Sequence, residues 1–129
     1  MSHRVVGDTP QAPKPVGAYS QAIRVGRVIV TAGQIGADPL TGELVGPDIE
    51  SQTKQVLKNL SEALASVGGS LSDVVRVGVF LADASDFAAM HAVYGELLPK
   101  PYPVRPTVFV GLAPAVRIEI DSLAVLDED

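Results

Sequence analysis

Arg105 stands in this 129-residue chain among neighbours that cannot satisfy it, within Tyr102-Pro103-Val104-Arg105-Pro106-Thr107-Val108-Phe109-Val110. A guanidinium is permanently charged and presents a planar fork of donors, so a surround of Pro, Val and Phe leaves it needing a carboxylate or phosphate. The partner is either Glu119, in Val116-Arg117-Ile118-Glu119-Ile120-Asp121, or a bound ligand. Pro103 and Pro106 stiffen the backbone on both sides of it. Glu119 has a plainer reading as a solvated carboxylate in a charged stripe, paired with Arg117.

Two other residues are candidates on weaker signals. Tyr19, in Val16-Gly17-Ala18-Tyr19-Ser20-Gln21-Ala22, is either a strand aromatic packed under the sheet or a phenol reaching a site. Gly33, in Thr31-Ala32-Gly33-Gln34, marks a bulge or strand end, or lets backbone N–H groups approach a ligand. His3 lies near the N-terminus, and His91 reads as a partly exposed packing residue at the edge of a helix. With no cysteine, and no pair of His or carboxylates at the spacing of a helical metal site, no metal is expected. No Gly-x-Ser-x-Gly elbow supports a serine triad, and no glycine-rich phosphate loop implies a nucleotide cofactor.

The elements that must carry these residues are legible from periodicity. Tyr19 to Val25 and Val28 to Gln34 flank Gly26-Arg27 as a β-hairpin, and residues 36–42 form a turn-rich loop. Asp48 caps a helix whose buried face uses Ile49, Val56, Leu57, Leu60, Ala63, Leu64 and Val67, and Gly68-Gly69 ends it. Val74 to Leu81 is a strand. Ser85 caps a second helix, buried through Phe87, Met90, Tyr94, Leu97 and Leu98 and stopped by Pro99. Strands near 106–110 and 116–125 close the chain, the last one alternating Arg117, Glu119, Asp121 and Leu123 against Ile118, Ile120 and Ser122. The order β-β-α-β-α-β-β describes an α+β domain with two helices on one sheet face.

Composition bounds the function. The length suits one domain, residues 1–129, with residues 1–15 as a flexible polar tail rather than a signal peptide. The net charge of −5, with ten scattered Lys and Arg, disfavours a nucleic-acid surface. Apolar residues make up 47% of the chain, but no run approaches a membrane span, so no membrane partner is expected. The surplus apolar surface suggests a homo-oligomer, and the cytoplasm is the expected location.

Four separated segments resemble the RidA family, also called YjgF-type or enamine/imine deaminases: Val16 to Ala22, Thr31-Ala32-Gly33-Gln34-Ile35, Tyr102 to Pro106, and Ile118-Glu119-Ile120-Asp121. Asp86-Phe87 leading to Tyr94 also fits, and the similarity runs from about residue 10 to 126. The resemblance implies a homotrimer of chorismate-mutase-like α+β subunits, each a mixed β-sheet with two helices on one face, with ligand clefts between subunits. It puts the final strand in the middle of the sheet, away from the arginine strand, so that Arg105 and Glu119 converge at a subunit interface. The implied activity is hydrolysis of 2-aminoacrylate/2-iminopropionate-type intermediates to 2-keto acids and ammonia, without a cofactor. On that reading Arg105 holds the substrate carboxylate and Glu119 activates water. Gly33 and Thr107 contribute backbone contacts, and Tyr19 shapes and polarises the pocket. The chain departs from the commonest pattern at Ala32, where many members carry Ser, at Ala18, where Pro is frequent, and at His91, where Asn is frequent. Two rival readings are a non-catalytic keto-acid-binding or chaperone-like regulatory trimer, and an endoribonuclease or translation inhibitor, which the acidic charge disfavours.

Overall fold

The structure, a computed structural model, describes residues 3–127; residues 1, 2, 128 and 129 of the expected domain lie outside the described residues. Alternating apolar segments form β1 (Arg4–Gly7), β2 (Ala22–Val25), β3 (Val28–Thr31), β4 (Gln34–Ile35), β5 (Val74–Leu81), β6 (Thr107–Phe109) and β7 (Ile118–Val125), with helices α1 (Ile49–Ala65) and α2 (Phe87–Leu97). They make one mixed sheet ordered β1-β2-β3-β7-β5-β6, with β4 also paired to β7. Only β5 and β6 run parallel. The last strand is therefore central, as the resemblance implied, and the loop from Gly111 to Ala115 is a crossover past β5 rather than a hairpin.

The hairpin turns at Gly26, whose φ of 60° falls where a Cβ is costly, and Val25 pairs with Val28 across it. Three local readings are corrected. Arg4–Gly7, expected within a flexible tail, is an edge strand whose backbone pairs antiparallel with β2. The strand expected over Val28 to Gln34 is broken. Val30 pairs with Leu123 and Gln34 with Ile120, so four steps on one side face three on the other, a bulge centred on Thr31-Ala32-Gly33. Ser85 does not cap α2; Asp83 accepts a hydrogen bond from the Ser85 N–H in a short 3₁₀ turn that leads into the helix at Phe87.

Both helices cover the same sheet face. In α1, Asp48 accepts from the Ser51 N–H at 2.9 Å, and Gly68, with φ 89°, turns the chain so that Gly69 N–H donates to Leu64 O. Val56, Leu57, Leu60 and Leu64 pack against Ile29, Val77, Val79, Leu81, Ile118 and Ile120 in one core. In α2 the buried residues are Met90, Val93 and Tyr94. Phe87 and Leu97, expected on that face, are 37% and 43% exposed, because the short helix meets the core only through its middle turn. No helix among the described residues is long and apolar enough to cross a membrane.

Gln52 joins α1 to the crossover. Fully buried, it donates to the carbonyls of Gly46 and Ala115 at 2.9 and 3.0 Å and accepts from the Arg117 N–H at 2.9 Å. Gln52→Leu fills similar space but leaves three backbone groups unpaired, each costing about 1–3 kcal/mol when buried. The expected result is a loss of roughly 3 kcal/mol, read as a lower thermal midpoint; an unchanged melt would show that the crossover rearranges freely.

Candidate active site

The backbone carrying Arg105 is bound to β5 on either side of it. Val104 N–H donates to Val75 O and Val77 N–H to Val104 O, while Val79 N–H donates to Pro106 O. Thr107 pairs with Val79, which faces the helices, and alternation puts Arg105 on that same side. Its guanidinium lies 4.6 Å from the Tyr94 ring centroid and 5.8 Å from that of Phe87, with Nη2 3.1 Å from His91 Nδ1. Aromatic faces attract the cation without consuming its N–H donors, so the fork stays available to an anion. His91, Tyr94, Gly95, Tyr102, Pro103 and Arg105 line a cleft of about 310 Å³ here. The Tyr94 phenol is buried without a hydrogen-bond partner among the described residues. Burial pushes its pKa up, and the charge of Arg105 opposes the shift.

Glu119 sits on the other face. In β7 it pairs with Ile35 of β4 and Phe80 of β5, pointing away from the helices while Ile118 and Ile120 point into the core. Its carboxyl lies over the bulge. A Cβ on Gly33 would stand 2.9 Å from Glu119 Cδ and would collide with Oε2, so only glycine leaves room for this placement. Asp121 follows on the same face, over Gly78. Burial, and secondarily the negative charge of Asp121, push the Glu119 pKa above the usual carboxylate value. That direction suits a proton acceptor working near neutral pH.

Gly33 connects Glu119 to a second cleft of about 330 Å³, lined also by Tyr19, Gln34, Ile35, Pro39 and Leu40. Asn59 holds its wall by donating to Ile35 O and Ala37 O at 3.0 and 2.9 Å. Tyr19 is half exposed in the loop before β2, not packed under the sheet, and its hydroxyl accepts from the Val16 N–H. The alternative pairing of Glu119 with Arg117 does not occur. Arg117 precedes β7 and turns to Asp86 at 3.0 Å and Pro47 O at 2.6 Å.

One chain thus brings Tyr19, Gly33 and Glu119 into one neighbourhood and puts Arg105 on the opposite side of the sheet. Thr107 opens β6 beside Arg105 but lines neither cleft. Around Arg105 the structure places neighbours that the sequence does not reveal. Tyr94 is buried in the core as expected and also backs the guanidinium, whereas Phe87, expected in the core, and His91, expected as packing at the helix edge, stand exposed beside it. The i, i+4 step from Phe87 to His91 was the available signal, since it sets the two rings on one stripe, where they stack with centroids 5.6 Å apart. Among the described residues, no three His, Asp or Glu side chains are placed to share a metal ion.

The chain is thus an α+β protein with a helix-covered mixed sheet, an aromatic-backed arginine at one edge and a half-buried glutamate on the uncovered face. Residues 9–126 match the model of the family described as Endoribonuclease L-PSP, and the chain belongs to this YjgF/RidA family. A RutC family protein of Pyrococcus abyssi is 50% identical over 117 residues, covering 90% of this chain and 92% of the relative. The 2-iminobutanoate/2-iminopropanoate deaminase of Rattus norvegicus is 42% identical over 123 residues, covering 95% and 90%. The crystal structure of RidA from an Antarctic Psychrobacter superposes with a TM-score of 0.90 at 40% identity, covering 95% of this chain and 99% of that one.

Proposed function

We propose that this protein hydrolyses the C=N bond of small 2-imino acids and their enamine tautomers, of the 2-aminoacrylate/2-iminopropionate kind, to 2-keto acids and ammonia in the cytoplasm. The observation that carries the reading is the division of the site. Each chain bears an arginine without a carboxylate partner and a glutamate of raised pKa on opposite sheet faces, and the face holding the glutamate is largely apolar and uncovered. Val6, Val30, Val104 and Val108 are 56%, 50%, 68% and 42% exposed there. So much exposed apolar surface favours burial against other copies. A homotrimer in which the Arg105 edge of one subunit meets the Glu119–Gly33–Tyr19 region of the next completes the cleft. A monomer in sedimentation would remove this arrangement.

In that cleft the Arg105 fork takes the substrate carboxylate in paired, charge-assisted hydrogen bonds. Glu119 accepts a proton from water as the water oxygen bonds to the iminium carbon, forming a carbinolamine. Return of that proton to nitrogen makes ammonia the leaving group. The C–N bond breaks as the hydroxyl passes its proton to the freed Glu119 carboxylate and the carbonyl forms; Glu119 then gives that proton up to solvent. Tyr19 bounds the pocket, and the backbone at Gly33 and Thr107 supplies further contacts. No step calls for a cofactor.

Gly33→Ala tests the glutamate's placement. The added methyl displaces the Glu119 carboxylate, the movable end of a side chain, so the fold survives while kcat falls about 10–100-fold, the scale of an ångström misplacement. Steady-state kinetics beside a thermal melt would check both halves; wild-type kcat would refute it. The reading as a whole is tested by generating the imine with an amino-acid oxidase or a threonine dehydratase and trapping it with semicarbazide. Wild type diverts the imine to keto acid. Saturable pyruvate binding without diversion would identify a keto-acid-binding protein instead.

A further inference from the structure

We propose that His91 is a positioning residue for Arg105, its neutral imidazole accepting from the guanidinium at Nδ1, so that capture of a carboxylate weakens when His91 takes up a proton. This rests on the reading of Arg105 as the carboxylate anchor.

The chemistry of the pair fixes the proton. Arginine has no acceptor and keeps its protons, so the 3.1 Å contact between Nη2 and Nδ1 requires the lone pair on Nδ1 and the hydrogen on Nε2. The imidazole is held for this task. It stacks on Phe87, one helical turn earlier, with ring planes 11° apart, and α2 beneath is anchored by buried Met90, Val93 and Tyr94. Arg105 is held twice, through Nη2 by His91 and across its face by Tyr94. Among the described residues, His91 is its one side-chain hydrogen-bond partner. Both restraints orient the fork before a ligand arrives, which lowers the ordering cost of binding.

Protonated His91 is a donor at both nitrogens, so a donor then faces a donor and two cations meet. The titratable groups lining this cleft are His91 and Tyr94 from α2, and Tyr102 and Arg105 from the segment after it. No carboxylate lines it to offset the second positive charge. The Arg105–His91 contact has to open, and the guanidinium loses its orientation.

The test measures pyruvate binding by calorimetry in wild type, His91→Leu and His91→Asn from about pH 5 to 8, the span in which histidines commonly change charge. His91→Leu should weaken binding about tenfold, roughly the value of one charge-assisted hydrogen bond. His91→Asn, whose amide oxygen can accept the same bond, should recover most of that loss. Wild-type affinity should fall on acidification more steeply than that of His91→Asn. Tighter wild-type binding at low pH than His91→Asn shows, parallel pH profiles, or an unaffected His91→Leu would overturn the proposal. A second readout needs no ligand. The chain has two histidines, so His91→Asn assigns the ring ¹⁵N resonances. The expected tautomer carries its hydrogen on Nε2, with an Nδ1 shift that moves in Arg105→Ala. If wild type binds no pyruvate, the anchoring role of Arg105 falls, and with it the ligand-capture part of the proposal. The nitrogen shifts then decide the positioning pair alone, and an Nδ1–H tautomer or shifts indifferent to Arg105→Ala would overturn that as well.

Discussion

Arg105→Ala should lower kcat/KM for imine hydrolysis by roughly 10²–10⁴-fold while leaving the fold and the assembly intact. Hydrogen bonds to charged groups contribute about 1.5–3 kcal/mol each. Losing a bidentate pair therefore removes about 3–6 kcal/mol, which corresponds to that range of rates. Stability should hardly change. The guanidinium is half-buried, lies against Tyr94 and Phe87, and has His91 as its one hydrogen-bonded side chain among the described residues, so no charge is stranded by its removal. Arg105→Lys should restore only part of the activity, because an ammonium keeps the charge but not the fork. Steady-state kinetics with a short-lived imine generated in place, beside sedimentation of each variant, measures this. Undiminished turnover in Arg105→Ala would remove Arg105 from the site.

Glu119→Gln should lower kcat by about 10²–10⁴-fold, the usual contribution of a positioned acid or base, with a much smaller change in KM. The exchange conserves size and leaves the bulge at Gly33 in place, so it removes proton acceptance alone. A pH dependence follows from the raised pKa of Glu119, caused first by burial and then by Asp121. A base acts only when ionised, so kcat falls as pH drops through that pKa, and the acidic limb lies above the ordinary glutamate value of about 4.3. Asp121→Asn removes the like charge, lowers the Glu119 pKa and moves the limb to lower pH. A limb at the ordinary value in wild type, or one that Asp121→Asn leaves in place, would contradict this assignment.

The parts of the fold legible in the sequence were those with a strong local cause. Asp48 and Gly68-Gly69 bound α1 as read, and Gly26 turns the hairpin, because caps and left-handed turns are decided within a few residues. The alternation of β7 also held, with Ile118, Ile120 and Ser122 inside and Glu119 and Asp121 outside. The misreadings came where a neighbour distant in sequence intervened. Arg4–Gly7 looks like tail until β2 offers it hydrogen bonds. The break at Ala32-Gly33 exists because β7 has one residue fewer to pair, which Val28 to Gln34 alone does not reveal. Phe87 follows the helical period of α2 yet stays outside the core, since only the middle of that helix touches it.

The candidate site divides in the same way. The sequence by itself determined which groups are available: a permanently charged fork at Arg105, a carboxylate at Glu119, a phenol at Tyr19 and a glycine at 33. Side-chain chemistry needs no coordinates, and the order of the motifs carried the family resemblance. Tertiary structure decided where those groups face. The strand order β7-β5-β6, with alternation along each strand, sends Glu119 to the bare face and Arg105 toward α2, so neither cleft of a single chain holds both. It also turned His91 from a helix-edge residue into the partner of Arg105, because residues 91 and 105 meet only when β6 docks parallel to β5 beneath α2. Such contacts depend on pairings between distant segments, and no local pattern encodes them.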